Sequence, residues 1–330
     1  MRITECTLRR VRIPFRQAFS HAAAARHVSD AIIVELKTAD GLTGFGEIQA
    51  RPYVTGEDND TIWSQHAPRV ATQLVNARID ALHDIATLVN DVCDYNEQPA
   101  CAGGFDIALH DALDLTGRVS WSALFGERTT PARGKCMTIG NDQTGAALIK
   151  QARYARLSSC SVVKLKVIDE RDIERVLQLR EHIGPDIALR LDGNGQMTHT
   201  GTKALLAACE SAHIESIEEP LARTEKHYVD QLADVHVTTG IDIVADESVC
   251  TVRDLDRYSD QRAFQVINVR VGKSGGVTGC AALAKAVLDH GFDIVCGTMV
   301  GESEVMLNIS RKFLHHCAAL DYVEGIDQTR

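Results

Sequence analysis

Short apolar segments that recur at a nearly constant interval constrain the fold of this chain more than any other feature. They lie about 25 residues apart, at 137–139, 162–167, 187–192, 214–218, 243–246, 266–270, 294–297 and 320–323. The intervals carry helical spacing, as at Ile173, Val176 and Ile183, and Gly184-Pro185 predicts a helix end. Eight strands separated by helices predict an α/β fold, a (β/α)8 barrel of the TIM type. A doubly wound sheet fits only about five or six such units.

The N-terminal third has a different pattern. Residues 2–14, 31–37 and 42–48 are rich in β-branched side chains and predict an antiparallel meander. Helical spacing follows from about residue 60 to 118, and the small residues at 20–26 predict a mobile loop. We therefore predict an α+β capping domain over residues 1–125 and a barrel domain over 126–330, with no helix after the eighth strand.

Composition excludes several classes of protein. Hydrophobic residues make up 45% of the chain and charged residues 24%, without a run long enough to span a membrane. The net charge of −10 and the lack of Lys/Arg clusters argue against nucleic acid as a partner. Ten scattered cysteines without metal-ligand spacing, and a start without a signal-peptide core, predict reduced thiols in a cytoplasmic protein.

Polar residues stand at the ends of five consecutive predicted barrel strands, where barrel enzymes carry their active sites. These residues are Lys164 and Lys166, Asp192 and Asn194, Glu218 and Glu219, Asp246 and Glu247, and Arg270. A single acidic residue after a strand is usually a helix N-cap, and a single Lys-x-Lys is usually a solvated edge. The occurrence of all five in order is what favours an active site.

The residue types suggest a chemistry. Lys164 and Lys166 point the same way, and we expect their mutual repulsion to lower the pKa of at least one, which makes a general base. Asp192, Glu218 and Asp246 come from three neighbouring strands and supply hard oxygen ligands for Mg²⁺, with Mn²⁺ as the alternative.

The motifs together resemble the enolase superfamily, and within it the muconate-lactonizing subgroup of mandelate racemase-like proteins. The motifs are Lys-x-Lys at 164–166, Asp-x-Asn at 192–194, Glu-Glu-Pro at 218–220, Ala-Asp-Glu-Ser at 245–248, Lys-Ser-Gly-Gly at 273–276, and the N-terminal segments 44–47 and 53–57.

The resemblance implies an enzyme in which Mg²⁺, held by Asp192, Glu218 and Asp246, grips the carboxylate of a small-molecule substrate. It implies that Lys166 moves the proton α to that carboxylate and that Lys164 tunes the pKa of Lys166. Asn194, Glu219 and Glu247 are expected to support the metal ligands, and a homo-oligomer is expected.

One departure from the subgroup limits the prediction. The subgroup places a second catalytic lysine at the end of strand six, where this chain has Arg270, and Lys273 is out of step with that face. An arginine is a poor base but a good fixed cation. We therefore predict a cycloisomerase or lyase that needs one base. The alternatives are a racemase or epimerase of the dipeptide or N-acylamino acid type, a non-catalytic homologue that keeps the metal site, and a Schiff-base aldolase using Lys164 or Lys166.

Substrate contacts are expected from the capping segment and from the other strand ends. The candidates are His21, Arg26, Tyr53, Thr138, Thr298, Met299, Asp321 and Glu324. Dipeptide epimerases tend to carry Asp-x-Asp at strand eight, and only Asp321 matches it here, although Asp321 or Glu324 could bind a substrate cation.

Overall fold

The computed structural model describes residues 1–21, 24–127, 134–317 and 320–324, with the backbone alone at 16–21, 24–26 and 320–323. The N-terminal region opens with an antiparallel sheet of three strands, β1 (Ile3–His21), β2 (Ala24–Thr38) and β3 (Thr43–Ile48), in that order. The loop predicted at 20–26 is corrected, because β1 and β2 stay paired as far as His21 and Ala24. The alanines of this segment show no alternation of polar and apolar side chains that would predict a strand. The cross-strand hydrogen bonds define the strand instead.

Helices cover one face of this sheet. They are α1 (Asn59–Thr61), which continues through a π turn at Ile62–His66 into α2 (Ala67–Leu74), then α3 (His83–Val92), α4 (Pro99–Asp114) and α5 (Trp121–Phe125). Glycines bring α4 against β3, since a Cβ at Gly46 would lie 1.9 Å from the carbonyl oxygen of Gly104. Ile32, Ile48 and Phe105 fill the core between the layers.

Strands and helices alternate through the rest of the chain. They are β4 (Lys135–Ile139), α6 (Gly145–Leu157), β5 (Val162–Lys166), α7 (Ile173–Ile183), β6 (Ala188–Asp192), α8 (His199–Ala208), β7 (Ile214–Glu218), α9 (Tyr228–Thr239), β8 (Asp242–Ala245), α10 (Val252–Tyr258), β9 (Val266–Val269), α11 (Gly276–Asp289), β10 (Asp293–Cys296), α12 (Glu304–His316) and β11 (Leu320–Glu324). The eight strands pair in parallel, in the closed order β10-β11-β4-β5-β6-β7-β8-β9. Helix α7 ends before Gly184, as the sequence predicts. None of the helices in the described ranges is long and apolar enough to cross a membrane.

Successive side chains along each barrel strand point alternately outward, toward the helices, and inward, into the barrel. Leu165 and Leu191 pack outward in the large core under the helices. Val162, Val244, Val266 and Val295 form a separate apolar cluster, which we assign to the barrel interior because Lys164 and Lys166 share the parity of Val162. The charged residues therefore lie above an apolar plug at the C-terminal end of the strands. All ten cysteines are free.

The N-terminal region and the barrel are joined by buried acids that bind helix N-termini. Glu47 of β3 accepts hydrogen bonds from the backbone N–H groups of Ser303 and Met306, at the start of α12. Asp106 of α4 accepts from the N–H groups of Val277 and Thr278 in α11. These contacts fix the N-terminal region over the barrel. The division at residue 125 stays a prediction.

Candidate active site

A cavity of ≈ 120 Å³ opens at the C-terminal end of the barrel strands. It is lined by Arg51, Tyr53, Val54, Thr138, Lys164, Lys166, Asp192, Asn194, Asp246, Glu247, Arg270, Thr298, Met299, Val300 and Glu324. Most of the residues singled out in the sequence therefore meet at one place, because parallel strands of a barrel end at one rim.

Lys164, in the middle of β5, is surrounded by carboxylates. Its Nζ lies 2.9 Å from Glu218 Oε2, 2.6 Å from Glu324 Oε2 and 3.7 Å from Asp192 Oδ2. Burial by itself lowers the pKa of Lys164, but Glu218, Glu324 and Asp192 outweigh it and hold that pKa well above its usual value. The lowering predicted for at least one of the two lysines therefore does not occur at Lys164, because three acids rather than the second lysine dominate its surroundings.

Lys166 closes β5 and faces the cavity. Its Nζ lies 3.2 Å from Asp192 Oδ2 and donates a short hydrogen bond to Asn194 Oδ1. Asn194 has φ +42°, a left-handed conformation that asparagine tolerates better than most residues, and its N–H donates to Asp192 Oδ1 at 3.1 Å. This tight turn after β6 holds the Asn194 side chain against Lys166.

Arg270 follows β9 and contacts two of the predicted metal ligands. Its Nη2 makes a short ion pair with Asp246 Oδ2 and lies 3.4 Å from Glu218 Oε1. Asn268 Nδ2 donates to the same Glu218 oxygen at 3.2 Å. In the strand order, β9 lies four places from β5, so Arg270 and Lys166 stand on opposite sides of the barrel.

Glu219 and Lys273 lie behind the cavity. Glu219 accepts hydrogen bonds from the N–H of Asp246 at 2.7 Å, from the N–H of Ser248 at 2.8 Å and from the Tyr228 hydroxyl at 3.0 Å. Lys273 is fully buried, donates to the backbone carbonyls of Asp246 and Val249, and does not line the cavity. Both residues shape the turn that carries Asp246.

Asp192, Glu218 and Asp246 are buried acids in unequal surroundings. Burial acts to raise the pKa of Asp192 and of Asp246, but Lys166 and Arg270 respectively outweigh it and hold both pKa values below their usual range. Burial raises the pKa of Glu218 well above its usual value, and the carboxylates of Glu324, Asp192 and Asp246 add to that rise while Lys164 opposes it. Among the described residues, no group of three or more His, Cys, Asp and Glu side chains is arranged to hold a metal ion. The three acids instead pair with Lys164, Lys166 and Arg270. In donor type and burial, they nevertheless suit a hard divalent cation that would relieve their repulsion.

The remaining substrate candidates divide into two groups. Thr138, Tyr53, Thr298, Met299 and Glu324 line the cavity. The side chains of the other three, His21, Arg26 and Asp321, lie outside the described part of the chain.

Arg51, a buried cation of the cavity wall, is not among the residues predicted from the sequence. Its Nη1 donates to the carbonyl of Ala50 at 2.9 Å and its Nη2 to that of Val300 at 3.3 Å. The available signal was a charged residue three positions after Ile48, the apolar end of β3.

Two family models together match most of the chain. Residues 3–126 match the mandelate racemase/muconate lactonizing enzyme N-terminal domain, and residues 147–329 match the enolase C-terminal domain-like family.

Relatives and solved structures agree with these matches. The chain is 26% identical to a hydrophobic dipeptide epimerase of Enterococcus faecalis, over 92% of this chain and 84% of the relative. It is 25% identical to an N-succinyl-L-Arg/Lys racemase of Bacillus cereus, over 92% and 81%. A dipeptide epimerase structure from Methylococcus capsulatus, complexed with Mg and the dipeptide L-Arg-D-Lys, superposes with a TM-score of 0.86 at 25% identity, covering 100% of this chain and 91% of the other. The chain therefore belongs to the mandelate racemase/muconate lactonizing enzyme branch of the enolase superfamily.

Proposed function

We propose that the chain is a Mg²⁺-dependent isomerase that removes the proton α to the carboxylate of a dipeptide or another N-acylated amino acid. The observation that carries the proposal is Lys166, placed at the cavity beside buried acids at the C-terminal rim of a (β/α)8 barrel. The similarity to epimerases and racemases supports the substrate class. It favours the racemase or epimerase alternative over the cycloisomerase or lyase predicted from the sequence.

In this proposal Asp192, Glu218 and Asp246 would hold Mg²⁺, which supplies stabilisation of the negative charge left on the carboxylate when the α-proton departs. Lys166 is the base, held toward the cavity by Asp192 and Asn194. Lys164 stays protonated between its acids and serves as a fixed counter-charge rather than as a base. The residues 1–125 cover the rim and complete the substrate pocket through Arg51 and Tyr53.

A second candidate rests on Arg270. Inversion at the α-carbon by two bases needs a proton donor and acceptor on both sides of the substrate, and the side opposite Lys166 presents a guanidinium. That arrangement suits a reaction with one base, such as α-proton exchange with retention or cycloisomerisation.

The test is deuterium exchange. Dipeptides and N-succinyl amino acids are incubated with the protein and Mg²⁺ in D₂O, and the α-proton is followed by NMR together with the configuration of the product. We expect exchange that stops in EDTA and falls at least about 100-fold in Lys166→Met. Lys285→Met, an exposed lysine on α11, is the control and should exchange like the unaltered protein.

The outcomes separate the candidates. Exchange with inversion supports the epimerase, and exchange with retention supports the reaction with one base. Undiminished exchange in Lys166→Met, or no exchange with any substrate of the panel, contradicts the proposal.

A further inference from the structure

The Arg270 guanidinium occupies an unusual place for a cavity cation. Its Nη2 bridges Asp246 Oδ2 and Glu218 Oε1, two of the three acids that we propose as metal ligands. The third acid, Asp192, is engaged by Lys164 and Lys166. Lys164 also pairs with Glu218, and Lys273 pairs with the other carboxylate oxygen of Asp246. The positive charge of Arg270 thus already offsets the negative charges of Asp246 and Glu218.

The barrel wall makes room for this arrangement. A Cβ at Gly297, just past β10, would lie 2.8 Å from Arg270 Nε and 2.9 Å from Asn268 Oδ1. Glycine at this position therefore leaves room for the guanidinium to reach the two acids. A larger residue would have to displace the side chain of Arg270 or Asn268.

The guanidinium is held chiefly by its ion pairs. Arg270 Nε is buried but has no hydrogen-bond partner within the described part of the chain, and the side chain lines the open cavity. Removing the guanidinium from Asp246 and Glu218 would therefore break the Nη2 contacts and no Nε hydrogen bond.

We propose that Arg270 is an internal competitor for the divalent cation, which pairs with Asp246 and Glu218 and leaves them when the metal binds. The inference rests on the proposed function, because it takes these two acids as metal ligands. Two like-signed cations cannot share the same carboxylate oxygens at contact distance without strong repulsion. The metal-free protein thereby keeps its buried acids paired, at the expense of affinity for the metal.

The test measures metal binding directly. Mg²⁺ is titrated into the metal-free protein by calorimetry, and Mn²⁺ binding is followed by electron paramagnetic resonance. We expect Arg270→Met and Arg270→Gln to bind either ion about tenfold more tightly than the unaltered protein. Lys285→Met is the control: it removes an exposed cation of α11 that pairs with Asp289 outside the cavity, and its metal affinity should change less than about threefold.

Thermal unfolding supplies a second readout. In EDTA the Arg270 variants should melt at a lower temperature than the unaltered protein, because two buried acids each lose one cationic partner and keep only Lys164 or Lys273. Saturating Mg²⁺ should narrow that difference, since the metal takes over the pairing.

Equal or weaker metal affinity in both Arg270 variants, measured on protein that is folded by circular dichroism, would overturn the competition while leaving the metal site in place. Absence of binding to every variant and to the unaltered protein would overturn the proposed metal site and the competition together.

Discussion

Arg270 is the residue that most separates this chain from the subgroup it resembles. It stands opposite Lys166 across the barrel and contacts Asp246 and Glu218. Burial lowers the pKa of its guanidinium, but the carboxylates of Asp246 and Glu218 outweigh burial and raise it above its usual value. Arg270 is therefore a permanent cation, and at its position the cavity side opposite Lys166 presents a guanidinium rather than an amine base.

Replacing Arg270 with lysine should supply that base. In Arg270→Lys we expect the ratio of inversion to exchange at the α-carbon to rise at least about tenfold, because an amine can accept and return a proton on the second face. Proton NMR in D₂O combined with chiral chromatography gives both rates. If Arg270→Lys exchanges the α-proton normally but gains no inversion, the assignment of this face is wrong.

At the scale of elements, buried acidic side chains bind the N-termini of helices and so hold these helices in place. Glu57 accepts hydrogen bonds from the N–H groups of Ala100 at 2.7 Å and Cys101 at 2.9 Å, and so caps α4. Burial nevertheless raises the pKa of Glu57 from 4.5 to about 7, against those hydrogen bonds. The folded protein thus binds a proton at Glu57 more tightly than the unfolded chain does.

This difference predicts a pH dependence. Because the folded state holds the Glu57 proton up to about pH 7 and the unfolded chain releases it near 4.5, stability should fall as pH rises through that window, by about 3 kcal/mol for this group. In Glu57→Gln the free energy of unfolding should decrease less steeply with pH, as measured by urea unfolding at several pH values. Glu181→Gln, on the exposed face of α7, should keep the slope of the unaltered protein. An unchanged slope in Glu57→Gln would contradict the prediction.

At the scale of the molecule, the N-terminal region and the barrel meet where α4 crosses α11. A Cβ at Gly103 would lie 2.7 Å from the backbone nitrogen of Gly276, so only glycine permits this approach. Beside the crossing, Asp106 is buried and accepts hydrogen bonds from Val277, Thr278 and the Tyr95 hydroxyl. The close approach and these hydrogen bonds together place Arg51 and Tyr53 over the barrel rim.

A methyl group at this crossing should therefore loosen the assembly. Gly103→Ala is expected to lower the free energy of unfolding by about 1–3 kcal/mol, because backbone atoms on both helices must move apart. Urea unfolding measures the loss, and faster limited proteolysis should accompany it. Gly140→Ala is the control, since its methyl group would meet only the end of the Asp142 side chain. If Gly103→Ala and Gly140→Ala have the same free energy of unfolding, the two helices can move apart without a loss of stability, and the prediction is wrong.

The sequence by itself determined the order of the elements and the type of chemistry. Apolar strands at a fixed interval and polar residues at their ends are local patterns, and they were enough to predict Lys166, Asp192, Glu218 and Asp246 near one rim. Parity along β9 likewise separated Arg270 from Lys273. These features follow from backbone periodicity, which nearby residues encode.

Only the tertiary structure decided what surrounds each charge. It placed three acids around Lys164 and so held the pKa of Lys164 above its usual value. It brought Arg51 from beyond the N-terminal sheet to the cavity and placed Arg270 against Asp246 and Glu218 beside Gly297. The physical reason is that electrostatic energies depend on distances between groups far apart in the chain and on their burial. Spacing along the sequence fixes neither quantity.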